Sequence, residues 1–289
     1  PTCHMYVHYI SMLFSTPCAK GYLSGASVGT TMNNLNHKIL SDMPVPLPPL
    51  AEQKRIVAKI EELLPYLDRY EKAWNRLEEF NRRFPADMQK SILQMAIQGK
   101  LVEQRPEEGT GEELYRQIQA EKKRLIQEGK IKKEKPLPEI AEDEVPFEIP
   151  ESWEWVRLGS IGDWGSGATP SRSVSEYYDG DIPWLKTGDL NDGHIKYIPE
   201  KISHLALEKT SVRLNPTGSV LIAMYGATIG KVGILTFPAT TNQACCACLP
   251  IGIYNEYLFY FLMSQKVAFV KQGEGGAQPN ISKAKIVAT

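Results

Sequence analysis

The stretch from Pro44 to Lys100 limits what this chain can fold into more than any other. It opens Pro44-Val45-Pro46-Leu47-Pro48-Pro49-Leu50, where the prolines forbid ladder hydrogen bonds and favour an extended, polyproline-like path. A helix is expected directly afterwards, since Ala51-Glu52-Gln53 places an acid in its first turn, where the helix dipole favours negative charge. Apolar residues then recur at Ile56, Ile60, Leu63, Leu67, Tyr70, Trp74 and Leu77 in alternating steps of four and three, the seam of a coiled coil. Between them the positions are nearly all charged, including Lys59, Glu61, Glu62, Asp68, Arg69, Glu71, Lys72, Arg76 and Glu78. One stripe therefore seeks an apolar partner and the rest seeks water. Pro65 costs about 3 kcal/mol in a helix interior, yet the heptad keeps its phase across it, so a kink is expected and not a break. Phe84-Pro85 reads as a stop, with Pro85 as first-turn proline of a second helix, Ala86 to Gln98, closed by Gly99. A helix of about 30 residues spans about 45 Å, which suits a spacer or docking arm. A helical hairpin inside an ordinary core remains open on the pattern alone.

At 289 residues the chain has room for two units with real cores. Its 42% hydrophobic and 23% charged content is that of an ordinary globular protein, and with a formal net charge of -1 any nucleic-acid face must come from local charge segregation. Five cysteines, an odd number without regular spacing, make no disulfide framework, and the chain opens at Pro1 without a signal sequence, so a reducing cytoplasm is expected. The most apolar run, Ile251 to Val270, contains Asn255, Glu256, Gln265 and Lys266 and reads as core, not as a membrane span.

The two ends of the chain repeat one another. Apolar Tyr6 to Phe14 is followed by Gly21, Gly25 and Gly29, which read as loop, and then by Asn34-Leu35-Asn36-His37-Lys38-Ile39-Leu40. Tyr260 to Ser264 is followed by Gly273, Gly275 and Gly276, and then by Asn280-Ile281-Ser282-Lys283-Ala284-Lys285-Ile286. Asn34 aligns with Asn280 and Leu40 with Ile286, and Asn36 or Ser282 can cap the short helix that follows it. Such repetition implies two similar domains, each followed by a helical arm. The expectation is that the chain is a fragment, with a second proline run and second arm beyond Thr289.

Residues 1–43 are thus expected to end a first domain, 44–101 to form the helical region, 102–150 a charged helical linker, and 151–289 a second domain. In the linker, Glu112 to Gln127 has a helical pattern. The basic cluster Lys122, Lys123, Arg124, Lys130, Lys132, Lys133 and Lys135 is followed by the acidic stretch Glu139 to Glu151, which favours self-pairing over phosphate binding. Trp153 to Gly159 reads as a strand-like start, Gly162 to Gly167 as glycine turns, and Ile182 to Lys186 as a short strand. Ser219 to Tyr225 and Lys231 to Leu235 read as strands around a turn, and Tyr254 to Val270 as the one long helix. Sheet, few helices and long loops make an α+β domain.

No catalytic apparatus is visible. Asp42 with Glu52-Gln53-Lys54 matches a loose nuclease pattern, but those carboxylates would have to converge from adjacent strands on a metal, and here a proline run and a helix start intervene. The Asn/Asp-Pro-Pro-aromatic motif of adenine methyltransferases is absent, since Pro48-Pro49 lies between leucines. Cys245, Cys246 and Cys248 alternate across a strand and read as buried structural cysteines, not as a metal cluster. The five histidines form no spaced ligand set, and no metal site is expected.

The proline run, Leu50-Ala51-Glu52-Gln53-Lys54-Arg55-Ile56, the heptad helix and Lys90-Ser91-Ile92-Leu93-Gln94-Met95-Ala96-Ile97-Gln98-Gly99-Lys100-Leu101 together resemble the central conserved region of the specificity subunit of type I restriction-modification enzymes. Trp153 to Gly159, Gly167-Ala168-Thr169-Pro170-Ser171, Ile182 to Leu190, Val220 to Leu235 and Thr241-Asn242-Gln243-Ala244 resemble that family's target recognition domains. The resemblance covers nearly the whole chain. It implies an α/β target recognition domain with a long coiled-coil-type helical arm, and a non-catalytic reader of half a split site in double-stranded DNA. It further implies that methylation with S-adenosylmethionine belongs to separate modification subunits, and that ATP- and Mg-dependent translocation and cleavage belong to a restriction subunit. No cofactor is expected in this chain. The seam Ile56 to Leu77 is then the expected site for a partner helix, for the modification subunit, or for another copy of the chain.

Base readout needs Arg, Lys, Asn or Gln at groove-reaching loops, with other polar groups on phosphates. Expected DNA contacts are Ser171, Arg172, Lys186, Thr187, Tyr225, Lys231, Gln278 and Asn280. The competing reading is a non-enzymatic coiled-coil adaptor that binds no DNA.

Overall fold

The computed structural model describes residues 6–26, 37–273 and 279–289, and the chain divides into two units, Pro1–Pro85 and Ala86–Thr289. In the first, helices α1 (Val7–Ser15), α2 (Pro17–Ala26) and α3 (His37–Ser41) precede the proline run, after which the long helix α4 (Leu50–Ile97) begins. Gln53 locks that start. Its buried side chain accepts from the Tyr6 N–H at 2.9 Å and donates to the Pro48 carbonyl at 2.8 Å, partners that a buried amide requires. The Tyr9 hydroxyl donates to the Pro46 carbonyl at 3.2 Å. Gly21 and Gly25, expected as loop, instead lie inside α2, and a Cβ on either would meet nothing within 4 Å. Each costs the helix about 1 kcal/mol relative to alanine, and the burial of Ala19 in the same helix works against that cost. Gly29, Asn34 and Asn36 lie outside the described residues.

The expected stop at Phe84-Pro85, and with it the separate second helix, is corrected. α4 runs unbroken for 48 residues through both Pro65 and Pro85. Each proline withholds one N–H from the carbonyl four residues earlier, on Glu61 or Asn81. Both of those residues are exposed, so water can replace the lost bond, and the flanking Leu, Glu, Lys, Arg and Gln are good helix formers. Its end is where the glycine signal places it. Gly99 takes φ +69°, and the N–H groups of Gly99 and Lys100 donate to the Ala96 and Met95 carbonyls at 3.1 and 2.9 Å, a left-handed cap. Along the seam Ile56 and Ile60 are half-buried, whereas Leu63, Leu67, Tyr70, Trp74 and Leu77 are exposed.

The second unit is built on a five-stranded sheet in the order β1 (Gly162–Ser166), β8 (Cys245–Pro250), β5 (Val220–Ala223), β6 (Val232–Leu235), β3 (Gly193–Ile195), antiparallel except for the parallel β6–β3 pair. A smaller sheet orders β4 (Lys201–Ile202), β2 (Tyr178–Leu185) and β7 (Thr240–Thr241). The fold is mixed α+β. Alternation divides the main sheet's two faces, as the pleat requires. Val220, Ile222, Cys246 and Cys248 pack with Trp164, Leu258, Leu262 and Phe269, while Leu221, Ala223, Cys245 and Ala247 pack with Leu185, Leu190 and Leu235. Burial raises all three thiols, Cys246 to about 12, so they pack as neutral groups.

Four further expectations are revised. Trp153 to Gly159 is extended without a ladder and ends in a 3₁₀ turn, Leu158–Ser160. The glycines expected as turns form β1, where a Cβ on Gly162 would collide with the buried Cys248 sulfur and one on Gly165 would displace the end of the Arg213 side chain. Tyr254 to Val270 is two helices, α7 (Asn255–Ser264) and α8 (Lys266–Gln272). They part at Gln265, whose N–H shares the Phe261 carbonyl with the Ser264 hydroxyl, at 3.2 and 2.6 Å. The segment expected as a linker is packed. Helix α5 (Gly111–Gln127), opened by a Thr110–Glu113 capping box, buries Ile118 in the main core, and Lys122 donates to the Gly159 and Gly162 carbonyls. The charges at its end pair locally, Arg124 with Glu121 and Glu128, and Lys130 with Glu128, partners that precede the stretch Glu139 to Glu151 from which pairing was expected.

The repeat holds at the level of elements. The alignment that matches Asn34 with Asn280 carries α3 onto α9 (Lys283–Val287), the last helix of the second unit, whose start is capped by Ser282 Oγ at 3.2 Å.

Candidate nucleic-acid interface

The loop that leaves β1 is held from several sides. Gly167 and Ala168 donate backbone N–H groups to the Cys245 and Thr241 carbonyls at 3.1 and 3.0 Å, and Asn242 donates to Leu185 at 2.9 Å. At Gly167 a Cβ would overlap the Thr241 and Asn242 carbonyl oxygens, so the loop needs glycine to lie against that strand. Trp184 Nε1 donates to the Ala168 carbonyl at 3.1 Å, the Tyr178 hydroxyl donates to Pro170 at 2.6 Å, and Thr169 Oγ1 donates to the Gln243 side-chain carbonyl. Two sequence stretches 74 residues apart, Gly167 to Ser171 and Thr241 to Ala244, thereby become one platform.

Above this platform sit four of the expected contact residues. Ser171 is exposed and shares a hydrogen bond of 2.7 Å with Ser173. The exposed Arg172 guanidinium lies 4.5 Å from the Tyr178 ring centre and 5.5 Å from that of the buried Trp184, a geometry in which the ring faces attract the cation. Lys186, at the end of β2, places its ammonium 5.9 Å from the same Trp184 ring. Its backbone N–H is fixed by Asp189 Oδ2 at 2.9 Å, across the 3₁₀ turn Thr187–Asp189 that carries Thr187.

Both cations converge on one carboxylate. Glu200 Oε2 accepts from Arg172 at 3.3 Å, and Oε1 pairs with Lys186. Glu200 stands across from Trp184, whose backbone N–H donates to the Glu200 carbonyl at 2.9 Å. The Lys186 hydrogen bond first, and then Arg172, hold the Glu200 carboxyl below the usual carboxylate range.

The remaining expected residues sit elsewhere in the unit. Tyr225 and Asn280, both exposed, face each other in an antiparallel bridge, reinforced by the Gly226 N–H to Pro279 bond of 2.8 Å. Lys231 closes the adjacent turn, its N–H donating to Thr228 at 2.9 Å. Gln278 lies outside the described residues. Sequence reasoning missed Glu200, Tyr178 and Trp184 as parts of the site. Trp184 lay inside a recognised strand, but nothing local marked Glu200. Among the described residues no three His, Cys, Asp or Glu side chains gather as a cation site, and no helix is long and apolar enough to cross a membrane.

Comparison with known proteins finds the family model described as type I restriction modification DNA specificity domain at residues 6–79 and 150–288. The chain is 37% identical over 155 residues to the type I restriction enzyme EcoAI specificity subunit of Escherichia coli, a match covering 41% of this chain and 26% of that protein. It is 29% identical over 211 residues to the EcoEI specificity subunit of Escherichia coli, covering 58% and 34%. To the MjaIX specificity subunit of Methanocaldococcus jannaschii it is 34% identical over 134 residues, covering 45% and 31%. The matches thus span about a quarter to a third of these relatives' length. The crystal structure of the HsdS subunit from Thermoanaerobacter tengcongensis aligns with 98% of this chain and 57% of that one at 21% identity and a TM-score of 0.43.

Proposed function

The chain belongs to the family of type I restriction-modification DNA specificity domains, and on that premise we propose that its second unit reads one half of a split site in double-stranded DNA without catalysing a reaction itself. The observation that carries this reading is the rigid platform of Gly167 to Arg172, Lys186-Thr187 and Gln243, which presents exposed cationic and amide donors from a backbone fixed on several sides. Donors of this kind suit phosphates and guanine edges, and a fixed backbone limits the ordering cost of binding. Tyr225, Lys231 and Asn280 extend the proposed face around the neighbouring turn, and Gln278 belongs to it by sequence.

In the same reading, the exposed seam of α4 docks a partner helix and the modification subunits, and a restriction subunit joins that assembly. S-adenosylmethionine, ATP and Mg belong to those subunits and not to this chain, and the assembly works in the cytoplasm. An adaptor without DNA affinity is the rival, and salt separates the two, because a protein that neutralises phosphates releases counterions. Anisotropy of a labelled duplex, titrated with this chain at several salt concentrations, is expected to show affinity falling steeply with salt. In the chain carrying Arg172→Gln with Lys186→Gln, affinity drops and the log-log salt slope flattens by about one to two. An unchanged affinity and slope in that double variant would remove both residues from the interface.

A further inference from the structure

Two cations and one carboxylate share the face of Trp184, and their arrangement is asymmetric. Arg172 and Lys186 are anchored by groups other than Glu200: the guanidinium by the Tyr178 and Trp184 rings, the lysine by its place at the end of β2 and its backbone bond to Asp189. Glu200 meets them from the edge of the smaller sheet, just before β4, with about a third of its side chain exposed. The ring contacts hold the guanidinium in place from one side, and Glu200 takes a hydrogen bond from a single Nη of its fork. A carboxylate and a DNA phosphate each offer one negative charge to such a fork. The cations are therefore held ready for an anion, and the anion in place is the protein's own.

We propose that Glu200 is a specificity-determining residue, an internal stand-in for DNA phosphate that occupies Arg172 and Lys186 until a fitting duplex displaces it. The proposal rests on the reading of the second unit as a DNA-binding face. A phosphate reached only by electrostatic attraction must compete with a carboxylate already in place, so non-specific duplex is held weakly. A duplex that also engages the surrounding Ser171, Thr187 and Gln243 positions gains contacts that Glu200 cannot supply. Displaced Glu200 then requires a counterion of its own, which reduces net counterion release on binding.

The test compares the full chain with its Glu200→Gln and Glu200→Ala forms, by anisotropy of a labelled random-sequence duplex across a salt series. Removing the carboxylate is expected to tighten binding about threefold to tenfold, the range for loss of two partly exposed ion pairs, and to steepen the log-log salt slope by up to about one. The gain should vanish when Arg172→Gln and Lys186→Gln are added. Unchanged or weaker binding in both Glu200 variants, with salt-dependent binding intact in the unaltered chain, would overturn this inference and leave the DNA-binding reading standing. If the unaltered chain binds no duplex at any salt concentration, the DNA-binding reading falls and this inference with it. The alanine form guards against an effect peculiar to the glutamine amide.

Discussion

Gly167 sets how the loop after β1 lies. Its backbone passes so close to the Thr241 and Asn242 carbonyls that any side chain must push the loop off its strand. Gly167→Ala is expected to destabilise the second unit by about 1–3 kcal/mol, the usual cost of forcing extra volume into a packed site. It should also lower DNA affinity, because Thr169, Ser171 and Arg172 are aimed by that contact. Chemical denaturation read beside duplex binding checks this, and a variant unchanged in both would show that the loop does not depend on the approach. Ser171, Arg172 and Lys186 stood out in the sequence because they follow a glycine loop or end a strand, and the structure brings Arg172 and Lys186 to one ring and one carboxylate; their contact with DNA is the proposed reading. Glu200 was not, because the pairing of β2 with β4 brings it to Trp184, and no local spacing encodes that register.

The long helix shows what periodicity reveals and what local breakers obscure. Steps of three and four mark a candidate seam, and the structure leaves its Leu67, Tyr70, Trp74 and Leu77 exposed within a continuous helix. Pro85 misled because proline weighs heavily in a local reading, whereas one lost hydrogen bond in an exposed helix of strong formers is a bounded cost. The expected linker misled in the opposite direction. Its charges were conspicuous, yet the face bearing Ile118 decided its place, and an amphipathic helix beside a sheet core packs on it. An unpartnered apolar stripe tends to find another copy of itself. Sedimentation over a range of concentrations is expected to show self-association of this chain that weakens in a Leu67→Glu, Trp74→Glu form. A single monomeric species at every concentration would refute a sticky seam.

For the molecule as a whole, the internal repeat was the most legible feature, because it needs only self-comparison. It reappears as α3 and α9 at equivalent positions, and in the two separate stretches matched by one family model. The strand order β1-β8-β5-β6-β3 could not be read, since strands of three to six residues carry too few alternating positions to choose their neighbours. In the proposed function, one unit of this chain reads a short DNA sequence. Its most direct measurement is selection from a random-sequence duplex pool by this chain, with and without a cognate modification subunit, sequenced at two salt concentrations. Enrichment of one short half-site, weakening steeply as salt rises, is the predicted result. A pool that stays random even with the modification subunit present would contradict the claim and favour the adaptor.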